Sequence, residues 1–225
     1  MRLIIFDVDG TLTRSTTVDT LCYERAVSAQ LAVPIDTEWS SYRNPTDAGI
    51  LSEILERHGI PESPSCLAAV RHRFLRILSA ALATDPHCCR EVPGAAAVIE
   101  YLRELPDLQL AIATGAWADS ACMKLRHANI LTEQLPLASS DDSPSREQIL
   151  RIALQRAAAR AGREFDVVTY VGDALWDLSA ARYWGFRFVG IACDNDGSQF
   201  RSAGATVVFP DFADRDAFVR PLLTS

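Results

Sequence analysis

The sequence predicts a doubly wound α/β fold, a parallel sheet with helices on both faces, carrying an all-helical insertion after its first strand. Three observations predict it. Short apolar runs alternate with longer helix-period segments in the second half of the chain. The runs are continuously apolar, as strands buried on both faces are, and do not alternate in polarity. Residues 16–90 hold helical patterns and no convincing strand. The length of 225 residues agrees: at about 150 residues per domain it allows one large domain plus an insertion.

The elements follow in order. Leu3–Phe6 is the first strand and runs into Asp7. Helical patterns cover Thr17–Leu31, Asp47–His58 and Ser65–Ala83, punctuated by Pro34, Asn44-Pro45, Gly59, Pro61, Pro64 and Pro86. Pro93-Gly94 opens the helix Gly94–Leu105 that returns to the sheet. The strand Leu110–Ala113 ends at Thr114-Gly115 and the helix Ala118–Ala128 follows. After the helix Arg146–Ala161, the strand Val167–Val171 ends at Gly172-Asp173 and leads into the helix Trp176–Trp184. Phe186–Ala192 and Thr206–Phe209 complete the sheet. Strand–helix alternation of this kind implies right-handed crossovers. The helices of the insertion either form a small second domain or pack on the sheet face. A first crossover this long exceeds ordinary connections and favours the second domain.

Composition excludes several classes. Net charge is −7, from 22 Lys and Arg against 29 Asp and Glu. A generic nucleic-acid binder needs a basic excess, so no nucleic-acid partner is expected. The apolar start meets Asp7 and Asp9 too soon for a signal peptide, and no run approaches spanning length, so no membrane partner is expected. The six cysteines (Cys22, Cys66, Cys88, Cys89, Cys122, Cys193) form no Cys-x-x-Cys pair and no zinc spacing with histidine. Reduced thiols and a cytoplasmic location are the expectation.

Ligands of open α/β sheets bind at the carboxyl ends of the strands, and there the unusual polar residues collect. Asp7 and Asp9 are two apart and share a face of an extended chain. Two carboxylates in contact repel by about 1 kcal/mol in water and about 4 kcal/mol at an effective dielectric of 20. Asp173 adds to this. A divalent cation turns the repulsion into attraction, and carboxylate oxygens without His or Cys suit Mg²⁺ better than zinc. One Asp-x-Asp alone reads equally as a turn cap; three acid-bearing strand ends do not. Thr114-Gly115 either caps the following helix or offers hydroxyl and amides to a phosphate. Asp177 lies one turn beyond Asp173, where it either complements the helix N-terminus or joins the site.

The motifs Asp7-Val8-Asp9-Gly10-Thr11-Leu12, Thr114-Gly115 and Gly172-Asp173 with Asp177 resemble motifs one, two and four of the haloacid dehalogenase superfamily. The likeness is to its phosphatase branch, nearest the phosphoglycolate phosphatase-like subgroup with a helical cap of the C1 type. It extends over essentially the whole chain, because motif order and cap position also agree. The resemblance implies a Rossmann-like core of residues 1–15 and 91–225 and a helical cap of residues 16–90. It implies a phosphohydrolase acting on a small phosphorylated metabolite. Asp7 would be the nucleophile that becomes an aspartyl-phosphate, and Asp9 the acid that protonates the leaving alcohol and later activates water. Mg²⁺ would bind the side chains of Asp7 and Asp173 and the backbone carbonyl of Asp9, with Asp177 orienting that shell. Thr114 and the Gly115 amide would hold phosphoryl oxygens.

The third motif departs from the family, which places a lysine ahead of the helix before motif four. Ser145-Arg146-Glu147 stands there. Arg146 opposes the macrodipole in the first helical turn, so an adjacent anion is its expected partner, either the phosphate or a neighbouring acid such as Asp141, Asp142 or Glu147. Lys124, the one lysine of the chain, is expected on an exposed helix face. His58, His72, His87 and His127 show no catalytic spacing, and Trp39, Trp117, Trp176 and Trp184 read as packing or cleft walls. Either Thr46 or Asp47 caps the helix that follows Tyr42-Arg43-Asn44-Pro45, and Arg43 is a candidate substrate-reading residue. Asp9 argues against a dehalogenase. The lack of lysine in the insertion argues against a phosphonoacetaldehyde hydrolase-like reaction through a Schiff base. A phosphomutase, or a weakly active or non-catalytic phosphate-binding regulatory module, remains as the alternative.

Overall fold

The computed structural model describes residues 1–193 and 195–224. Its central sheet contains β1 (Arg2–Phe6), β4 (Leu108–Ala113), β5 (Leu137–Ala138), β6 (Val167–Gly172), β7 (Arg187–Ile191) and β8 (Val208–Phe209). All pair in parallel, in the order β5-β4-β1-β6-β7-β8. β1 is central, with Phe6 opposite Ile112 on one side and Val171 on the other.

The strands are apolar throughout because both faces are covered. Ile4 and Phe6 of β1, with Leu110 and Ile112 of β4, join one core. That core is closed by α4 (Ala95–Arg103), α5 (Ala118–His127) and α9 (Arg215–Leu223). Leu3 and Ile5, with Ala111, Ala113 and Tyr170, face the opposite core, closed by α6 (Arg146–Ala161) and α7 (Leu175–Tyr183). Successive residues thus feed two separate cores. Truncating Leu3 or Ile5 to Ala is worth about 2–5 kcal/mol, because both are fully buried.

The expected helical segment is α1 (Thr16–Leu31), a 3₁₀ turn (Trp39–Ser41), α2 (Asp47–Arg57) and α3 (Pro64–Thr84). Val18, Tyr23, Leu51, Phe74 and Leu78 belong to an apolar cluster of their own, which also takes in Trp117 from the loop after β4. Ser63 accepts the Cys66 amide at 3.2 Å with Pro64 as the first helical residue, one position ahead of the expected start at Ser65. A two-residue antiparallel ladder, β2 (Thr13–Arg14) with β3 (Arg90–Glu91), joins the two strands of chain that enter and leave this segment. Neither strand was expected; nor was β5, since two residues carry no periodicity. α8 (Ser198–Ser202) and α9 were also not predicted. Among the described residues no helix is long and apolar enough to cross a membrane.

The start of α2 is docked on the sheet side. The Asp47 amide bonds the Gly115 carbonyl at 2.8 Å, the Ala48 amide bonds Ser140 Oγ at 2.7 Å, and Thr46 Oγ1 donates to the Pro144 carbonyl at 2.8 Å. Thr46 is the N-cap, accepting from the Gly49 amide.

Candidate active site

The chain leaves β1 through Asp7, whose amide bonds the Val171 carbonyl of β6 at 3.0 Å. The turn then needs Gly10, which has φ +78° and lies so close to the Asp173 carboxylate that a Cβ would overlap it. A glycine here lets the β1 and β6 loops touch. Thr11 Oγ1 spans the contact, 3.4 Å from both Asp7 Oδ2 and Asp173 Oδ1.

Asp7, Asp173 and Asp177 converge, each offering an oxygen within 4.8 Å of the others. Asp177, fully buried, does two things. Its Oδ2 accepts the Ala174 amide at 3.0 Å at the start of α7, and its Oδ1 accepts from Tyr170 Oη at 3.0 Å and pairs with Arg146 Nη1 at 3.0 Å. Arg146 does not pair with Asp141, Asp142 or Glu147; it turns inward, only 8 % exposed, and its Nη1 also reaches Asp7 Oδ1 at 3.1 Å. Its Nη2 presses so closely on Gly115 that a Cβ there would collide with it, and bonds the Pro45 carbonyl at 3.4 Å. The Arg146 Nε is buried with no hydrogen-bond partner among the described residues.

One guanidinium does not balance three acids. Burial, then Asp177, push the Asp7 carboxyl up to about 7 against the opposing pull of Arg146. Burial, then Asp7 and Asp177, hold Asp173 well above the usual carboxylate range. Burial raises Asp177 as well, with Arg146 opposing. A compact set of carboxylate oxygens with unbalanced charge fits a hard divalent cation.

The start of α5 has mostly found its own acceptors. Thr114 Oγ1 takes the Ala116 amide at 3.1 Å, Asp47 Oδ2 takes the Trp117 amide at 2.7 Å, and Asp141 Oδ2 takes the Ala118 amide at 2.8 Å. The Gly115 amide, beside Arg146, has no protein acceptor among the described residues. Thr114 is buried and, with Gly115, lines the cleft.

Asp9 lines the same cleft but takes its partners from a different set of side chains. Its Oδ1 accepts from Ser15 Oγ at 2.5 Å and its Oδ2 pairs with Lys124 Nζ at 2.6 Å. Lys124 was expected on an exposed face and instead is 0 % exposed, bridging Asp9 to Asp19 Oδ1 of α1 at 2.5 Å. The reason is its register. Lys124 follows Ala121 by three and precedes Leu125, so it lies on the buried stripe of α5, and two carboxylates make its burial tolerable. Burial works against its proton, but Asp19, Asp9 and Asp47 outweigh it and hold the ammonium above its ordinary value. Burial brings Asp19 up to about 6 despite Lys124.

A cleft of about 460 Å³ opens over these groups, lined by Asp7, Asp9, Asp173, Thr114 and Arg146 below and by Asp19, Tyr23, Trp39 and Asp47 from the helical segment. Trp176 lines it too. Trp117 stacks on Tyr23 instead, with centroids 5.8 Å apart. Arg43 is turned away, paired with Glu53 and Glu56 of α2. Ser15, Asp19 and Tyr170 were not anticipated. Asp19 carried a signal, an acid on the inner face of α1 one turn from Tyr23; Ser15 and Tyr170 carried none.

A family model described as haloacid dehalogenase-like hydrolase matches residues 1–185. No curated protein matches the chain. Similar solved structures include a hydrolase from Pseudomonas syringae, 23% identical over 100% of both chains with a TM-score of 0.77. A β-phosphoglucomutase from Clostridium difficile is 13% identical over 98% of this chain and 96% of that one, with a TM-score of 0.72. CbbY from Rhodobacter sphaeroides, in complex with phosphate, is 20% identical over 94% and 95%, with a TM-score of 0.67. At these identities the likeness is one of fold; the match over most of the chain carries the family. With the Asp7, Asp173 and Asp177 carboxylates gathered at the carboxyl edge of a parallel sheet, this chain belongs to the haloacid dehalogenase-like hydrolases.

Proposed function

We propose that the protein is a Mg²⁺-dependent phosphatase that hydrolyses a small phosphorylated metabolite through an aspartyl-phosphate on Asp7. The observation that carries this reading is the convergence of Asp7, Asp173 and Asp177 with the buried guanidinium of Arg146 at the floor of one cleft. Residues 16–90 act as the cap over a core of residues 1–15 and 91–225.

In the first step a carboxylate oxygen of Asp7 bonds to phosphorus, and the ester P–O bond breaks. The leaving oxygen takes its proton from Asp9. In the second step a water gives a proton to Asp9 and its oxygen bonds to phosphorus. The acyl-phosphate bond breaks, and phosphate departs with Asp7 restored. Arg146 and the Gly115 amide bind the phosphoryl oxygens, and the Thr114 hydroxyl supports that end of the cleft. Side chains of Asp7 and Asp173, with the Asp9 backbone carbonyl, would hold Mg²⁺, with Asp177 orienting them; the chemistry it would supply there is neutralisation of charge on the transferring group and on the acids. Lys124 and Ser15 fix the Asp9 carboxyl in position.

Hydrolysis of p-nitrophenyl phosphate tests the reading. Turnover is expected with Mg²⁺ and not with excess chelator, and Asp7→Asn is expected to abolish it. Undiminished turnover in that variant removes Asp7 as the nucleophile.

A further inference from the structure

The phosphatase reading leaves open which alcohol departs, and the cleft wall bears on that. Beyond the catalytic aspartates, the acidic residues lining the cleft are Asp19, Glu38 and Asp47, set among the rings of Tyr23 and Trp39. Among the described residues Arg146 is the only basic side chain lining the cleft. It is held by Asp7, Asp177 and the Pro45 carbonyl at the end of the cleft assigned to the transferring phosphoryl group. Lys124 lies behind the wall with no exposed surface, held between Asp9 and Asp19.

The helical segment does not lack cations; it sends them elsewhere. Arg43, at an adjoining pocket, is paired with Glu53 and Glu56, and Arg57 with Glu53 and the Ser41 carbonyl. Arg71 bridges Asp119 and Asp141, while Arg25, Arg73 and Arg76 line a separate groove. A second phosphate or a carboxylate on the substrate would therefore meet Asp19, Glu38 and Asp47, with Lys124 the one nearby counter-charge, buried and shared between Asp9 and Asp19. Like charges brought together in a partly desolvated site exclude a ligand more effectively than a missing contact does.

Resting on the phosphatase reading, we propose that the enzyme selects phosphate monoesters whose alcohol half carries no negative charge, the phosphates of polyols and amino alcohols, and rejects those with a second phosphate or a carboxylate. Asp19, Glu38 and Asp47 are the residues that set this preference. The same wall gives a phosphomutase on a bisphosphate intermediate no seat for its second phosphate.

A matched two-carbon series tests it: 2-aminoethyl phosphate, 2-hydroxyethyl phosphate and phosphoglycolate, which differ only in carrying an ammonium, a hydroxyl or a carboxylate. p-Nitrophenyl phosphate serves as the reference. The expected result is a kcat/KM for phosphoglycolate about tenfold or more below that of both other esters, and a narrowing of that ratio in Glu38→Gln. Phosphoglycolate turned over as well as 2-hydroxyethyl phosphate, or a ratio unmoved by Glu38→Gln and by Asp47→Asn alike, overturns the proposal. Failure to hydrolyse p-nitrophenyl phosphate overturns the phosphatase reading instead, so the two failures are distinct.

Discussion

Two charge clusters meet at the loop after β1, each built from three aspartates and one cation. In one, Arg146 contacts Asp7 and Asp177, with Asp173 close by. In the other, Lys124 contacts Asp9 and Asp19, with Asp47 close enough to strengthen its hold on the proton. The difference lies in what the cation leaves over. The Lys124 ammonium sits between two carboxylates as a compact point charge, and closes a strap from the β1 loop to α1. The planar Arg146 is spread over Asp7, Asp177, Tyr170 and a backbone carbonyl, so the first cluster keeps oxygens and charge to spare. Equal composition thus gives one cluster suited to holding the molecule together and one suited to holding a ligand.

The largest expected effect breaks the ligand cluster. Asp7→Asn should lower kcat for p-nitrophenyl phosphate by about 10³-fold or more, yet raise the melting temperature without metal at pH 8, since it removes a carboxylate from a repelling set. Next is the strap. Lys124→Met leaves Asp9 and Asp19 unpaired and should cost about 3–5 kcal/mol, a fall of roughly 10 °C in Tm for a chain of this size. Arg146→Ala should also destabilise, but Mg²⁺ should restore much of that loss in thermal melts and none of the loss in Lys124→Met. Equal rescue of both variants would erase the distinction between the clusters.

A smaller effect lies in pH. Asp7 rises from 3.8 to about 7 and Asp19 from 3.8 to about 6, burial being the leading cause for each. A carboxyl raised in the folded state binds its proton more tightly there. The stability it contributes is whole below the unfolded value and is lost as pH climbs through the folded one. The metal-free protein should therefore melt higher at pH 5 than at pH 8, and added Mg²⁺ should narrow that gap. The smallest effect is at Arg43, whose guanidinium is turned to α2; Arg43→Ala should leave kcat/KM within about twofold, as exposed pairs contribute little.

The sequence made the sheet and the long helices readable because their signals are local. Leu3–Phe6 is apolar at every position and is buried on both faces, and the helix expected at Ser65–Ala83 is found at Pro64–Thr84. The acids at the strand ends were readable for the same reason, since a parallel sheet fixes where its strand ends go. Lys124 was misjudged because its type argued for solvent while its register on α5 argued for the interior, and the deciding partner, Asp19, lies 105 positions away. Asp47 shows the same limit from the other side. The sequence offered Thr46 or Asp47 as the cap of α2, and the structure uses Thr46 there and sends the Asp47 carboxylate to the Trp117 amide of α5. The strands β2, β3 and β5 exist only through pairing, so no window of sequence contains them.

Since Lys124 is the chain's single lysine and has no accessible surface, amine-directed reagents have no lysine side chain to reach while the fold is intact. Dyes, biotin esters and cross-linkers of that kind would leave the Lys124 side chain unmodified. Labelling at Lys124 would report directly that the strap had opened.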